Sequence, residues 1–292
     1  MLDFERLREV RAHHPGAVAE TAAARDRRAL LRRDGRLMIV AADHPARGAL
    51  GVRGVADAMV DRYDLLHRLA ITLERPGVDG VLGTPDIIED LLLLGALDGK
   101  IVIGSMNRGG LQGSAFELDD RFTGYDAATI AGMGFDGGKM LARIDLADSG
   151  SAATLEACGR AITELASRGL MAMIEPFLCR REGDRVVNDL SAVGVRKSVA
   201  VVSGLGATSA YSWLKLPVVD DMDLVMAGTT LPTLLLGGDP SEDPEHTYTQ
   251  WKRALELPGV RGLVVGRALL YPPDGDVVAA VDAAASLVRS MA

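Results

Sequence analysis

The sequence predicts an α/β fold: a closed (β/α)8 TIM barrel preceded by an N-terminal helical extension. Three observations carry this. Eight short, nearly continuous apolar runs recur along 292 residues, amphipathic stretches separate most of them, and the first run ends in Asp43 and His44 rather than in a Gly-rich turn. Strands that are apolar on both faces and alternate with helices pair in parallel. Eight such units in about 250 residues suit a closed barrel. A doubly wound open sheet, the rival, usually has fewer strands and often opens on a Gly-rich turn.

In chain order, residues 1–35 read as one or two helices set under the barrel, and residues 36–292 form the barrel itself. The runs are RLMIVAAD (36–43), VDGVLG (78–83), KIVIGSM (100–106), FDGGKMLARID (135–145), GLMAMIEPF (169–177), YSWLKLPVV (211–219), TLLLGG (233–238) and GLVVGRAL (262–269). Helical periodicity is expected over 55–75, 152–169 and 195–207. The segment 107–134 exceeds an ordinary connection, and after a barrel strand it falls on the active face.

Composition narrows the function. The formal net charge is -8, which argues against nucleic acid as a partner while leaving room for a local cationic pocket. No apolar run reaches the roughly 20 residues of a membrane helix. The opening stretch MLDFERLREVRAHHPG interleaves charges and has no apolar signal core. A cytoplasmic protein without a membrane partner is the expectation. Cys158 and Cys179 lack metal-type spacing and read as buried filler.

In a barrel, chemistry collects at the C-terminal ends of the strands. The polar residues there are Asp43 and His44, Ser105 and Asn107, Lys139, Arg143 and Asp145, Glu175, Lys215, Gly237 and Gly238, and Gly266 and Arg267. Strand side chains alternate between faces. Lys139, Leu141 and Arg143 therefore share one face, as do Met171, Met173 and Glu175, and Trp213, Lys215 and Pro217. Their alternates, Met140, Ala142, Ala172, Ile174 and Leu216, suit contact with helices. Two lysines and a glutamate then point into one lumen. An amine attacks a carbonyl only when neutral, and apolar surroundings with a second cation nearby favour that form. Lys215 is thus a candidate Schiff-base nucleophile toward a ketone or aldehyde, with Lys139, Glu175 and Asp43 as candidates for moving protons. Structural alternatives stay open: a snorkelling or ion-paired Lys215, a structural cation at 139, an ion-paired carboxylate at 175, and a capping Asp43.

The runs ending LLLGG and LVVGRAL place Gly237, Gly238, Gly266 and Arg267 at the barrel's usual phosphate corner, or mark turns alone. The other histidines show no ligand spacing, so neither a metal nor a cofactor is expected.

IVAADHPARGAL, GGKMLARID, MIEPF, WLKLPV, LLLGG and GLVVGRALLYP resemble the class I aldolases grouped around tagatose-bisphosphate and deoxyribose-phosphate aldolases, and most nearly an actinobacterial branch associated with inositol catabolism. The resemblance spans about residues 30–275. It implies that Lys215 is the Schiff-base lysine, with Lys139, Glu175 and Asp43 matching the family's strand-four lysine, strand-five EP glutamate and first-strand aspartate. Arg143 and Ile144 stand where the family has tyrosines, which leaves Glu175 as the expected acid and base. In DHPARG, residues intervene before Arg47 and Gly48. Arg143, His44 and Asn107 join the glycines and Arg267 as candidate substrate and phosphate ligands. The implied substrate is a phosphorylated keto sugar or keto acid, such as 6-phospho-5-dehydro-2-deoxygluconate, and the implied assembly is a homo-oligomer. A phosphosugar isomerase or epimerase working through Glu175 and Asp43, and a non-catalytic sugar-phosphate binder, are the alternatives.

Overall fold

The computed structural model describes residues 3–238, 240 and 243–290. Eight parallel strands close a barrel in the order β1 (Leu37–Ala41), β2 (Gly80–Gly83), β3 (Ile101–Ser105), β4 (Gly137–Ile144), β5 (Met171–Glu182), β7 (Ser212–Leu216), β8 (Thr233–Leu236) and β9 (Val260–Val265), with β9 returning to β1. The ninth strand, β6 (Arg185–Asn188), is antiparallel and extends β5 beyond the barrel rim as a hairpin.

Helices α1 (Phe4–His13), α2 (Ala17–Ala24), α3 (Arg62–Glu74), α4 (Pro85–Leu93), α5 (Ala127–Gly132), α6 (Gly150–Ala166), α7 (Ala192–Ser203), α8 (Met222–Met226), α9 (Pro244–Leu255), α10 (Arg267–Leu270) and α11 (Val277–Arg289) follow. None among the described residues is long and apolar enough to cross a membrane. The helix expected over 55–75 starts later, at Arg62, because the Asp61 carboxylate accepts the Tyr63 and Asp64 amides and so caps the helix there.

Both strand faces are apolar because both are buried. Met38, Val40, Met140, Ile174 and Leu214 pack outward under the helices. Leu37, Ile39, Ile103, Met173, Trp213 and Leu234 fill the lower lumen. The first two helices lie beside α4, where the Arg11 guanidinium donates to Asp90 at 2.6 Å. The chain after them closes the barrel bottom. Leu30 packs on the luminal cluster, and Arg25 donates to the Lys100 and Gly134 carbonyls. Asp79, with no exposed surface, accepts from Arg28 at 2.6 Å, from Arg32 at 2.9 Å and from Arg289. With the bottom plugged and the lower lumen full, a ligand can enter only from the C-terminal end.

Candidate active site

A cavity of about 340 Å³ opens at the C-terminal end of the strands. Its floor is a chain of alternating charges. The Lys215 ammonium donates to Glu175 Oε1 at 2.7 Å. Lys139 Nζ contacts the other oxygen of Glu175 and donates to Asp43 Oδ2 at 3.1 Å. The same Asp43 oxygen accepts from Arg108 Nη2 at 2.6 Å and from the Ser105 hydroxyl at 3.2 Å. Arg108 Nε donates to Ser105 Oγ at 2.9 Å, which fixes the guanidinium.

Strand register builds this chain. Leu141 on β4 lies level with Glu175 on β5, and Ile174 lies level with Leu214 on β7, so Glu175 and Lys215 fall side by side. Lys139 sits one layer lower, opposite Met173. Met173 and Trp213 fill the same level on β5 and β7, and Lys139 is only 2% exposed. Three cations, Lys215, Lys139 and Arg108, share two carboxylates. One proton too many is held in a buried place, and loss of a proton from a lysine relieves that imbalance.

The protonation states follow. Burial, with some help from Arg108 and Lys215, pushes the Lys139 ammonium down to about 8 against the pull of Asp43 and Glu175. Burial opposes the charge on Glu175, yet Lys139 and Lys215 outweigh it and hold the carboxyl at about 2. Burial likewise opposes Asp43, and Arg108 and Lys139 hold its carboxyl well below the usual range. Burial takes the His44 imidazole down to about 3 in spite of Asp43. The sequence favours Glu175 as acid and base. A carboxylate titrating at about 2 is a weak base, and Lys139 is the group poised to exchange a proton near neutral pH.

The same residues predict acid lability. His44 and Glu175 have folded values below their unfolded ones, so the unfolded chain binds more protons as pH falls. The contribution of these two groups is full above about pH 6.5. It is lost progressively through His44 and then, below about 4.5, through Glu175, at up to about 1.4 kcal/mol per pH unit for each group. Denaturant melts from pH 7 to 3 should show the midpoint falling throughout. A flat midpoint down to pH 4 would contradict a neutral, half-buried His44.

Lys215, Lys139, Glu175, Asp43, His44 and Arg143 all line this one cavity, together with Gly237, Gly238, Gly266 and Arg267. Gly238 has φ +65°, and a Cβ on Gly266 would fall 2.3 Å from the Ala41 carbonyl oxygen, so β1 and β9 converge only because 266 is glycine. Asn107 is a correction. It is fully buried behind the cavity wall, its amide donating to the Leu141 carbonyl at 2.6 Å and to Asp120 while its oxygen accepts the Leu141 N–H at 2.8 Å. It ties the long loop to β4 and presents nothing to a ligand. Asp145 also lies outside the cavity, accepting the Ala147 and Arg181 amides.

Sequence reasoning missed Arg108, Glu117 and Asp120, all buried in the 107–134 loop. Arg47 reaches Asp120 and the Gly110 carbonyl, and Arg143 reaches Glu117, so the loop is sewn across the barrel mouth. The residues inserted before Arg47 form a short 3-10 turn, Pro45–Arg47, that turns this arginine toward the loop. Charges recurring inside a long loop were the available signal. Among the described residues lining the cavity are six cationic side chains and three carboxylates, a local excess of positive charge in an acidic protein.

A model of the Cgl0159-like family matches residues 35–285. The crystal structure of Cgl0159 from Corynebacterium glutamicum superposes with a TM-score of 0.97 at 58% identity, covering 98% of this chain and 97% of that one. An archaeal fructose 1,6-bisphosphate aldolase superposes with a TM-score of 0.65 at 18% identity over 94% of this chain and 99% of that one. A Schiff base forming fructose-1,6-bisphosphate aldolase gives 0.65 at 21% identity over 93% and 99%. At such identities the aldolase likeness speaks for the barrel. No curated protein matches the chain significantly.

Proposed function

The chain belongs to the Cgl0159-like family, and we propose that it is a class I aldolase acting on a phosphorylated keto sugar or keto sugar acid through a Schiff base on Lys215. The observation that carries this reading is the placement of two lysine amines on the two oxygens of one buried carboxylate, above the apolar lower lumen.

Each residue has a task in this chemistry. Neutral Lys215 adds to the ketone carbon, and its nitrogen forms a bond there while the carbonyl oxygen takes a proton. The carbinolamine loses that oxygen as water, and the nitrogen keeps a positive charge as an iminium. Glu175 Oε1, already 2.7 Å from this nitrogen, supplies the counter-charge. The bond between the carbon α to the iminium and the hydroxyl-bearing β carbon then breaks, and its electron pair moves toward the iminium to give an enamine. The hydroxyl on the departing carbon gives up its proton as the aldehyde forms. Lys139 exchanges these protons because it titrates at about 8, and Asp43 holds it in position. Protonation of the enamine and hydrolysis of the iminium release the ketone product. Gly237, Gly238, Gly266 and Arg267 take the phosphate. The inositol-derived 6-phospho-5-dehydro-2-deoxygluconate is one compound of the right class.

Borohydride reduction in the presence of a panel of keto-sugar phosphates should leave substrate carbon on Lys215, mapped by mass spectrometry. An adduct on Lys139 instead, or none with any compound, would contradict the assignment.

Arg108 supports Lys139 indirectly. It and Lys139 share one oxygen of Asp43, so Arg108→Met gives Lys139 the larger share and removes a repelling cation. The ammonium should then hold its proton to higher pH. The basic-side transition of kcat/KM that reports Lys139 should move up by about one pH unit, with Arg108→Lys restoring it. An unchanged profile would make Arg108 a purely structural residue.

A further inference from the structure

The chain between the Pro45–Arg47 turn and α3 reverses tightly. Val52 and Val55 exchange both backbone hydrogen bonds, at 2.9 and 3.0 Å, around the two-residue loop of Arg53 and Gly54. Both loop residues have positive φ, 45° for Arg53 and 77° for Gly54. Hairpin turns of this hand favour Asn, Asp or Gly at the first position, because other side chains strain the backbone there. Arg53 therefore occupies a place that local rules disfavour.

Its guanidinium returns no contact to the fold. Arg47, Arg108 and Arg143, at the same end of the barrel, each meet a carboxylate: Asp120, Asp43 and Glu117. Arg53 meets neither a carboxylate nor a carbonyl among the described residues, and its Nη1 is shielded from water without a partner. A half-buried guanidinium without an acceptor is an unfavourable resting arrangement that an anion relieves. The side chain lines a pocket of about 360 Å³ together with Gly51, Val52, Val55, Pro240 and Arg267. Among the described residues the charged ones there are Arg53 and Arg267. Arg267 also lines the catalytic cavity, so the two spaces adjoin across one guanidinium. Two arginine forks with no carboxylate between them suit a tetrahedral dianion, whose oxygens accept paired N–H donors.

We propose that the pocket between the Val52–Val55 hairpin and Arg267 is a second anion site, which holds a phosphate group beside the catalytic cavity and outside the corner made by Gly237, Gly238 and Gly266. Arg53 is the residue dedicated to it, and the strained turn is what places a fork there. The site goes beyond the aldolase reading and stands whether or not Lys215 forms a Schiff base. Its phosphate is either the distal group of a doubly phosphorylated substrate or free inorganic phosphate.

Arg53→Asn tests this, since asparagine suits the turn. In chloride buffer the variant should melt at or above the temperature of the parent. Inorganic phosphate at matched ionic strength should raise the melting temperature of the parent more than that of the variant. Crystals soaked in selenate should show its anomalous signal between the two guanidinium groups in the parent and not in the variant. Calorimetry with 1,6-hexanediol bisphosphate and hexyl phosphate then separates the sources. Binding of the bisphosphate at least about tenfold tighter, with the advantage lost in Arg53→Asn, assigns the site to a second phosphate of the substrate. Equal binding of the two assigns it to the free anion. The proposal is overturned by an equal phosphate response in parent and variant, by a bisphosphate advantage that the variant keeps, or by the absence of selenate at Arg53. A variant that melts below the parent in chloride overturns it as well, and makes Arg53 a residue of the turn alone.

Discussion

Lys215→Met should lower kcat/KM for carbon–carbon cleavage by at least about 10³-fold and abolish borohydride trapping. The substitution is gentle on the fold. Methionine has a similar length and suits the apolar strand, where Leu214 and Leu216 are wholly buried. Charge balance improves as well: Lys139 and Arg108 remain against Glu175 and Asp43, so the buried chain becomes neutral. The variant should therefore stay folded, with a melting temperature close to that of the parent, and the lost activity cannot be put down to unfolding. An isomerase working through Glu175 and Asp43 would keep measurable turnover in this variant. Persistence of turnover with an intact melting profile would end the Schiff-base proposal.

How much of this could be read before folding depends on which residues obey local rules. All eight barrel strands were legible because strands buried on both faces write themselves as unbroken apolar runs. The helices α4, α9 and α11 escaped periodicity but were announced by their caps: Pro85 after Thr84, Pro244 after Asp243, and Asp276 before Val277. The hairpin escaped too, although Glu182 pairs with Arg185 around the two-residue turn Gly183–Asp184, with Gly183 at φ +59°. Parity along β4, β5 and β7 put Lys139, Glu175 and Lys215 on luminal faces, because alternation is a property of a single strand. Arg108 and Glu117 were not legible. Their significance comes from which strand-borne group they meet, Asp43 for one and Arg143 for the other, and a loop has no period that fixes such meetings. Asn107 was misread for the same reason, since a polar residue just past a strand serves a ligand and a loop equally well until its partners are known.

Glu175→Gln should be the most destabilising change at the site, and charge arithmetic shows why it differs from Lys215→Met. The amide removes one negative charge from a place where three cations had two carboxylates, leaving Asp43 alone against Lys215, Lys139 and Arg108. Breaking a buried pair by removing one partner costs about 3–5 kcal/mol, and a denaturant melt at pH 7 should show a loss of that size. The cost should also shrink with rising pH. Without Glu175, Lys139 gives up its proton more readily in the folded state, while the unfolded chain holds it to about 10.4. Between those values the unfolded chain binds more protons, so stability rises with pH. The parent shows the same rise only from about 8, where Lys139 begins to titrate. The variant's deficit should therefore narrow as pH rises toward about 8, by up to about 1.4 kcal/mol per pH unit. Trapping on Lys215 should be slowed but not abolished, since the amine survives and the counter-charge of its iminium is what has been lost. A deficit that stays constant with pH would mean that Glu175 contributes packing rather than charge, and the account of how this barrel keeps an amine ready to react would have to be rebuilt without it.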